Sequence, residues 1–251
     1  MSITKELLIQ DLSALSLEKG RCVFVHSSLK SLGYVDGGPL TVIEALLETV
    51  GDKGTLFVPA FNGKKEDSPQ NPPVFHVSET PCWTGVIPET FRKLESARRS
   101  YHPTHSVSSM GPSTSFLIDE HQYSITPCNK KSPFYKNALL NGYILLIGCD
   151  QESNTTIHCC EELAEVPYHL QKEPAVCTCI TEDNKKIEIT TYLHDWHKPP
   201  TDFNRLAQPY LEENIMTRGK VGNTEVFLID AAKMIDFTVN LLLDEPNFLV
   251  K

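Results

Sequence analysis

No apolar stretch in this 251-residue chain reaches the roughly 18 residues that would mark a membrane span. Its first residues carry Lys5, Glu6, Asp11 and Glu18 among leucines, which reads as an amphipathic helix and not a leader peptide. Basic charge is scarce as well: 23 Lys and Arg stand against 32 Asp and Glu, a net charge of -9. A nucleic-acid partner calls for a basic face, so that class is set aside. An acidic chain draws cations by long-range attraction, although many globular proteins are acidic without such a partner. Neither the phosphate loop of nucleotide hydrolases nor the dinucleotide glycine fingerprint occurs. The eight cysteines do not form a staple pattern either: Cys159 and Cys160 are adjacent, Cys177 and Cys179 share one face of an expected strand, and Cys22 and Cys149 sit in apolar runs. Free buried thiols in a reducing, cytoplasmic setting account for them.

What is present is the usual globular mixture, 40% hydrophobic and 22% charged, enough for a sizeable core. Leu7, Leu8, Leu12 and Leu15 mark a first helix, capped by Ser2 or Thr4. Cys22 to His26 reads as a buried strand, and Ser27 to Gly38 as a loop. Pro39 opens a helix that Gly51 stops, and Thr55 to Ala60 is the next strand. Residues 62–82, rich in Pro, Asn, Ser and charge, read as one long connection. Tyr143 to Gly148 is the most apolar run and a candidate central strand, and Asn154 caps a helix to about Val166. Further strands are expected at 106–110, 175–181, 186–193 and 225–229, with helices at 85–94, 113–121, 202–214 and 231–243. This alternation predicts an α/β fold: a layered α/β/α single domain over 1–251 with a central, largely parallel or mixed sheet.

Four segments carry chemistry-bearing residues. Ser27 to Gly38, between strand and helix, offers hydroxyls, backbone N–H groups and Lys30 to an anion, and is equally the composition of a plain turn. His102 and His105 are three apart, but Pro103 between them blocks a regular helical pairing. His158 and Glu161 fall on one helix face just after the strongest strand, where a carboxylate can orient an imidazole; the bland alternative is a surface pair worth a few tenths of a kcal/mol. In His194-Asp195-Trp196-His197 the two histidines would point to opposite faces of a strand, so a shared metal is discounted.

Taken in order, many short matches make the chain resemble the aminoglycoside N3-acetyltransferase family. They include His26-Ser27-Ser28-Leu29, Ser31-Leu32-Gly33, Gly37-Gly38-Pro39, Gly85-Val86-Ile87-Pro88-Glu89, His102-Pro103, His105-Ser106-Val107, Ser132-Pro133 and Leu146-Ile147-Gly148-Cys149. Asn154-Thr155-Thr156-Ile157-His158 with Glu161, and Arg218-Gly219-Lys220-Val221-Gly222, complete a match that spans nearly the whole chain.

The resemblance implies acetyl-CoA as co-substrate, no metal, and an amine acceptor such as N3 of a 2-deoxystreptamine aminoglycoside. It implies His158 as general base, with Glu161 or Asp150 holding its ring. It places His26, Ser27, Ser28, Leu29, Lys30, Ser31, Leu32 and Gly33, with Ser106 and Val107, on the CoA side. A polycationic acceptor needs acids around it; the candidates are Asp67, Glu79, Glu152 and Glu162, with His102 beside them. Many drug-modifying members carry an Asp before the Ser-Pro motif; here Asn129-Lys130-Lys131 precedes Ser132-Pro133, and lysines repel a polycation at short range. The alternatives are an acyltransferase of another amine, a non-catalytic CoA-binding homologue, and a metal-dependent hydrolase using His102, His105, His194 or His197. The expected partners are CoA and a cationic small-molecule amine, with no nucleic acid and no membrane, in a monomer or homodimer.

Overall fold

The computed structural model describes residues 2–251. In chain order its elements are α1 (Lys5–Ser13), β1 (Cys22–Ser27), α2 (Leu29–Leu32), α3 (Pro39–Val50), β2 (Thr55–Pro59), β3 (Val74–His76), α4 (Val86–Phe91), β4 (Arg98–Arg99), β5 (Val107–Met110), α5 (Thr114–Ile118), α6 (Pro133–Leu139), β6 (Tyr143–Ile147), α7 (Thr156–Leu163), β7 (Ala175–Ile180), β8 (Lys186–Thr191), α8 (Ala207–Glu212), β9 (Met216–Val221), β10 (Thr224–Asp230) and α9 (Ala231–Asp244). Seven strands form one mixed sheet in the order β4-β5-β2-β1-β6-β10-β9. Only β2, β1 and β6 run parallel; the remaining pairings are antiparallel. A second sheet, β3-β7-β8, stands apart from it.

The central strands are apolar throughout because both of their faces are covered. Along β1, Val23 and Val25 join the core built with α1, α3 and α4, while Cys22 and Phe24 join the core built with α5 to α9. β6 alternates in the same way, Leu145 and Ile147 to one side and Ile144 and Leu146 to the other. Three layers, helix on sheet on helix, follow from that alternation. Thr4, not Ser2, caps α1, its hydroxyl accepting from Leu7 N–H.

The sequence reading lacks β4 and α6, and three further elements depart from it. One turn of helix, α2, interrupts the expected 27–38 loop, capped by Ser28. Val74–His76, inside the expected long connection, forms β3 on β7. Met216–Val221 is an edge strand, β9, within a segment read only for its family likeness.

A buried arginine joins the two sheets. Arg99 on β4 donates to the backbone carbonyls of Ala60, Val77 and Thr80 and to the Ser106 hydroxyl, with its guanidinium over the Phe75 ring of β3. Arg99→Met would leave three buried carbonyls short of a donor, at a cost of about 3 kcal/mol. The expected result is a lower urea midpoint with an unchanged slope; an unchanged midpoint would contradict this role.

Candidate active site

The parallel strands bring their carboxyl ends to one edge of the sheet, where ligands of open α/β folds bind. Ser27 at the end of β1, Pro59 at the end of β2 and Cys149 just beyond β6 line a cleft of about 420 Å³ there. Because β5 runs antiparallel to β2, the segment before it returns to the same edge and adds Thr104 and His105. Beyond β6 the chain enters α7, which contributes His158. From the second sheet, the segment after β8 supplies His194, Asp195, Trp196 and Lys198. Trp83 and Trp196 are about half exposed on its walls and offer flat apolar surface.

The sequence shapes α7 locally. Asn154 Oδ1 accepts from Thr156 N–H at its start, and the apolar side of the helix, Ile157 and Cys160, enters the core. That orientation puts His158 and Glu161 on one face. His158 Nδ1 lies 2.6 Å from Glu161 Oε2, with 21% of the histidine side chain exposed and none of the glutamate. Burial opposes the Glu161 charge, but hydrogen bonding from His158 and the neighbouring His169 and Lys198 outweigh it and bring its pKa to about 2. Lys198 Nζ sits 3.5 Å from Glu161 Oε1. Burial holds His158 below the ordinary imidazole value against the pull of Glu161. An ionised carboxylate at Nδ1 selects the tautomer that donates from Nδ1, which leaves Nε2 as the basic nitrogen.

Behind His158 the rings of three more histidines pack together. His169 lies 4.8 Å from His158, His194 lies 4.1 Å from His169, and His105 lies 4.2 Å from His194, centroid to centroid. Burial holds His105, His169 and His194 well below the ordinary imidazole value. Burial also pushes Glu162 up to about 8, against donors from Thr126 Oγ1 and Cys128 N–H.

The structure sorts the expected site residues. His158 and Glu161 meet as the motif suggested. Asp150 does not join them: its carboxylate accepts from Glu152 N–H and Asn204 Nδ2, so Glu161 is the group that holds the ring. On the expected CoA side, His26 and Ser27 line the cleft, and His26 Nε2 and Ser27 Oγ are buried without a protein partner. Burial keeps His26 neutral, with a pKa of about 3. Ser28 caps α2, the Ser31 hydroxyl donates to Gly148 O, Leu29 packs on the core and Leu32 is inside it. Lys30 is exposed and Gly33 turns the chain at φ 95°; none of these lines the cleft. Ser106 and Val107 are also corrected, since both are buried in the sheet and Ser106 is tied to Arg99 and Ala60 O. Among the acids, Asp67 and Glu152 line the cleft, while Glu79 is exposed beside His76 and Glu162 is buried behind His194. His102 is fully buried and stacked on His121, its Nδ1 accepting from Thr104 and His105 N–H. Lys130 and Lys131 line a separate cavity with Tyr123 and Glu165. Sequence reasoning missed His169, Lys198 and Asp195, and it set His194 aside. The geometry behind that last step holds only in part: His197 lies outside the cleft, but His194 reaches the histidine cluster.

Residues 24–243 match the family described as aminoglycoside 3-N-acetyltransferase. Aminoglycoside N(3)-acetyltransferase IV of a Salmonella species is 32% identical, with 96% of this chain and 88% of that protein aligned. The SPbeta prophage-derived aminoglycoside N(3')-acetyltransferase-like protein YokD of Bacillus subtilis (strain 168) is 28% identical over 99% of this chain and 95% of its own. Among solved structures, the apoenzyme of aminoglycoside acetyltransferase AAC(3)-IVa superposes with a TM-score of 0.83 at 27% identity, covering 100% of this chain and 92% of that one. A histidine-to-alanine mutant of the same enzyme in complex with a gentamicin gives 0.84 at 27% identity over the same shares. Fold and relatives together define the class as N-acetyltransferase, acting from acetyl-CoA on an amine. Within that class, the chain belongs to the aminoglycoside 3-N-acetyltransferase family.

Proposed function

We propose that this chain transfers the acetyl group of acetyl-CoA directly to an amine of a 2-deoxystreptamine aminoglycoside, at N3, with His158 as general base. The observation that carries the reading is the 2.6 Å bond between His158 Nδ1 and a fully buried, ionised Glu161 beside the cleft. The thioester has a good leaving group, since a thiol pKa is about 8.5. The attacking amine is the obstacle, because in water it is an ammonium. The ammonium gives one proton to solvent before it attacks, His158 Nε2 takes a second as the C–N bond forms, and Glu161 stabilises the imidazolium that results. The amine nitrogen bonds to the carbonyl carbon, the C–S bond breaks, and the departing thiolate takes a proton back from His158. Ser27 Oγ and His26 Nε2 offer hydrogen-bonding capacity in the same cleft for the donor. Both substrates are held together, which supplies much of the remaining acceleration.

A polycationic acceptor is supported by Asp67, Glu152 and Asp195, three acids lining the cleft against one lysine that is paired with Glu161. The lysines before Ser132-Pro133, which argue against a polycation in the sequence, line the other cavity. The relative that holds a gentamicin points to the same class. Mass spectrometry of a panel of aminoglycosides after incubation with acetyl-CoA and this protein is the test. At least one drug is expected to emerge one acetyl group heavier; a panel left wholly unmodified would contradict the acceptor assignment.

A further inference from the structure

We infer that Cys128, Glu162, His169 and His194 form a tetrahedral zinc site that pins the wall behind the catalytic histidine. The inference concerns residues to which the acetyl-transfer mechanism assigns no step, although His194 lines the cleft and His169 touches Glu161. Candidate ligand atoms of Cys128, Glu162 and His194 lie within 4.8 Å of one another, all buried or nearly so. Glu162 Oε1 is 3.4 Å from His194 Nε2 and 3.8 Å from His169 Nε2. Without a metal, the shorter of these contacts is a long hydrogen bond. Ligand atoms set about 2.0–2.1 Å from one tetrahedral metal are also roughly 3.4 Å apart.

A second such group, His158, His169 and His194, shares His194 with the first. His169 is 1% exposed, and its Nε2 is buried without any hydrogen-bond partner. Its other nitrogen, Nδ1, lies 3.2 Å from Glu161 Oε2. The same nitrogen lies 3.4 Å from Lys198 Nζ; it is the Glu161 contact that would leave Nε2 its lone pair, the arrangement behind most metal-bound histidines. Glu162 is oriented in the same manner, by Thr126 Oγ1 at 2.5 Å and Cys128 N–H at 2.9 Å. One thiolate, one carboxylate and two neutral imidazoles bring two negative charges to a divalent cation, so the filled site is neutral inside a buried setting. This ligand set suits zinc, which takes sulfur, nitrogen and oxygen in one shell.

The four ligands come from the segment before α6, from α7, from the segment after α7 and from the segment after β8. A metal there would reinforce contacts that already join these stretches, the Leu170–His194 bridge and the bonds from Thr126 and Cys128 to Glu162. Four protein ligands close the site, which makes it structural and leaves His158 free with Glu161. The sequence reading discounts a metal on the His102–His105 and His194–His197 pairs and does not consider this set.

The test uses tag-free full-length protein, stripped with a chelator and titrated with zinc, with bound metal counted by elemental analysis. One zinc per chain is expected. Loss of an outer partner alone weakens metal sites about 10–100-fold, so Cys128→Ser and Glu162→Gln are each expected to weaken zinc at least about 100-fold. Cobalt loaded into the unaltered chain is expected to show thiolate-to-metal charge-transfer absorption, a readout that stands even where a variant fails to fold. Three results would each overturn the site: no saturable zinc uptake, uptake unchanged in both variants, or uptake lost in His158→Ala but retained in Cys128→Ser.

Discussion

His158→Ala is expected to lower kcat about 10²–10⁴-fold, the usual contribution of a positioned base, while CoA binding stays within a few-fold of the parent. That loss corresponds to roughly 2.7–5.4 kcal/mol of the activation barrier. The two parameters separate because His158 acts on the acceptor's proton and not on the donor's grip. Its ring is also only partly buried, at 21% exposure, so truncation opens little of the core. The variant leaves Glu161 with His169 and Lys198 as neighbours, so the carboxylate is not stranded. Steady-state rates with a saturating acceptor, alongside calorimetry with CoA, check both halves. A variant that turns over at the parent rate would remove the imidazole from the reaction; one that loses CoA binding as well would make the effect structural.

Phe57→Ala is expected to destabilise the fold by about 3–5 kcal/mol, the range for deleting a buried aromatic ring. Phe57 on β2 is fully buried and stacks on Phe24 of β1, with ring centroids 4.4 Å apart and planes 8° from parallel. Phe134 of α6 approaches the same stack, 5.4 Å from Phe24. Removing one ring of this stack leaves a cavity between the sheet and its helix layer, in the part of the core that carries α7. For a chain of this size each kcal/mol lowers the melting temperature by about 2–4 °C. A scanning calorimetry experiment therefore reads a drop of roughly 6–20 °C. A shift of a degree or less would mean that the layer does not rest on this stack.

The central architecture was legible because it is written locally. β1, β2 and β6 are continuous apolar runs, as strands covered on both faces must be, and α3 is bracketed by Pro39 and Gly51. β3 was not legible: three residues form a strand only because β7, about a hundred positions later, offers an edge to pair with. β9 escaped because an edge strand with exposed Thr217, Arg218 and Lys220 shows no apolar alternation of its own. At the site, the His158–Glu161 pair could be read from helical spacing, since both partners lie within one turn. The rest depends on tertiary convergence. His105, His169, His194 and Lys198 are scattered along the connections, and their spacing in the chain says nothing of their meeting. Ser106 and Val107 illustrate the opposite error, in which a motif marks a family and yet faces the interior.

The central claim, that this chain moves an acetyl group from acetyl-CoA to an amine, is tested most directly by following free thiol from acetyl-CoA with and without an aminoglycoside. Thiol release that requires the drug and matches it mole for mole is the predicted result. Absence of release from every acceptor, together with no binding of CoA by calorimetry, would contradict it.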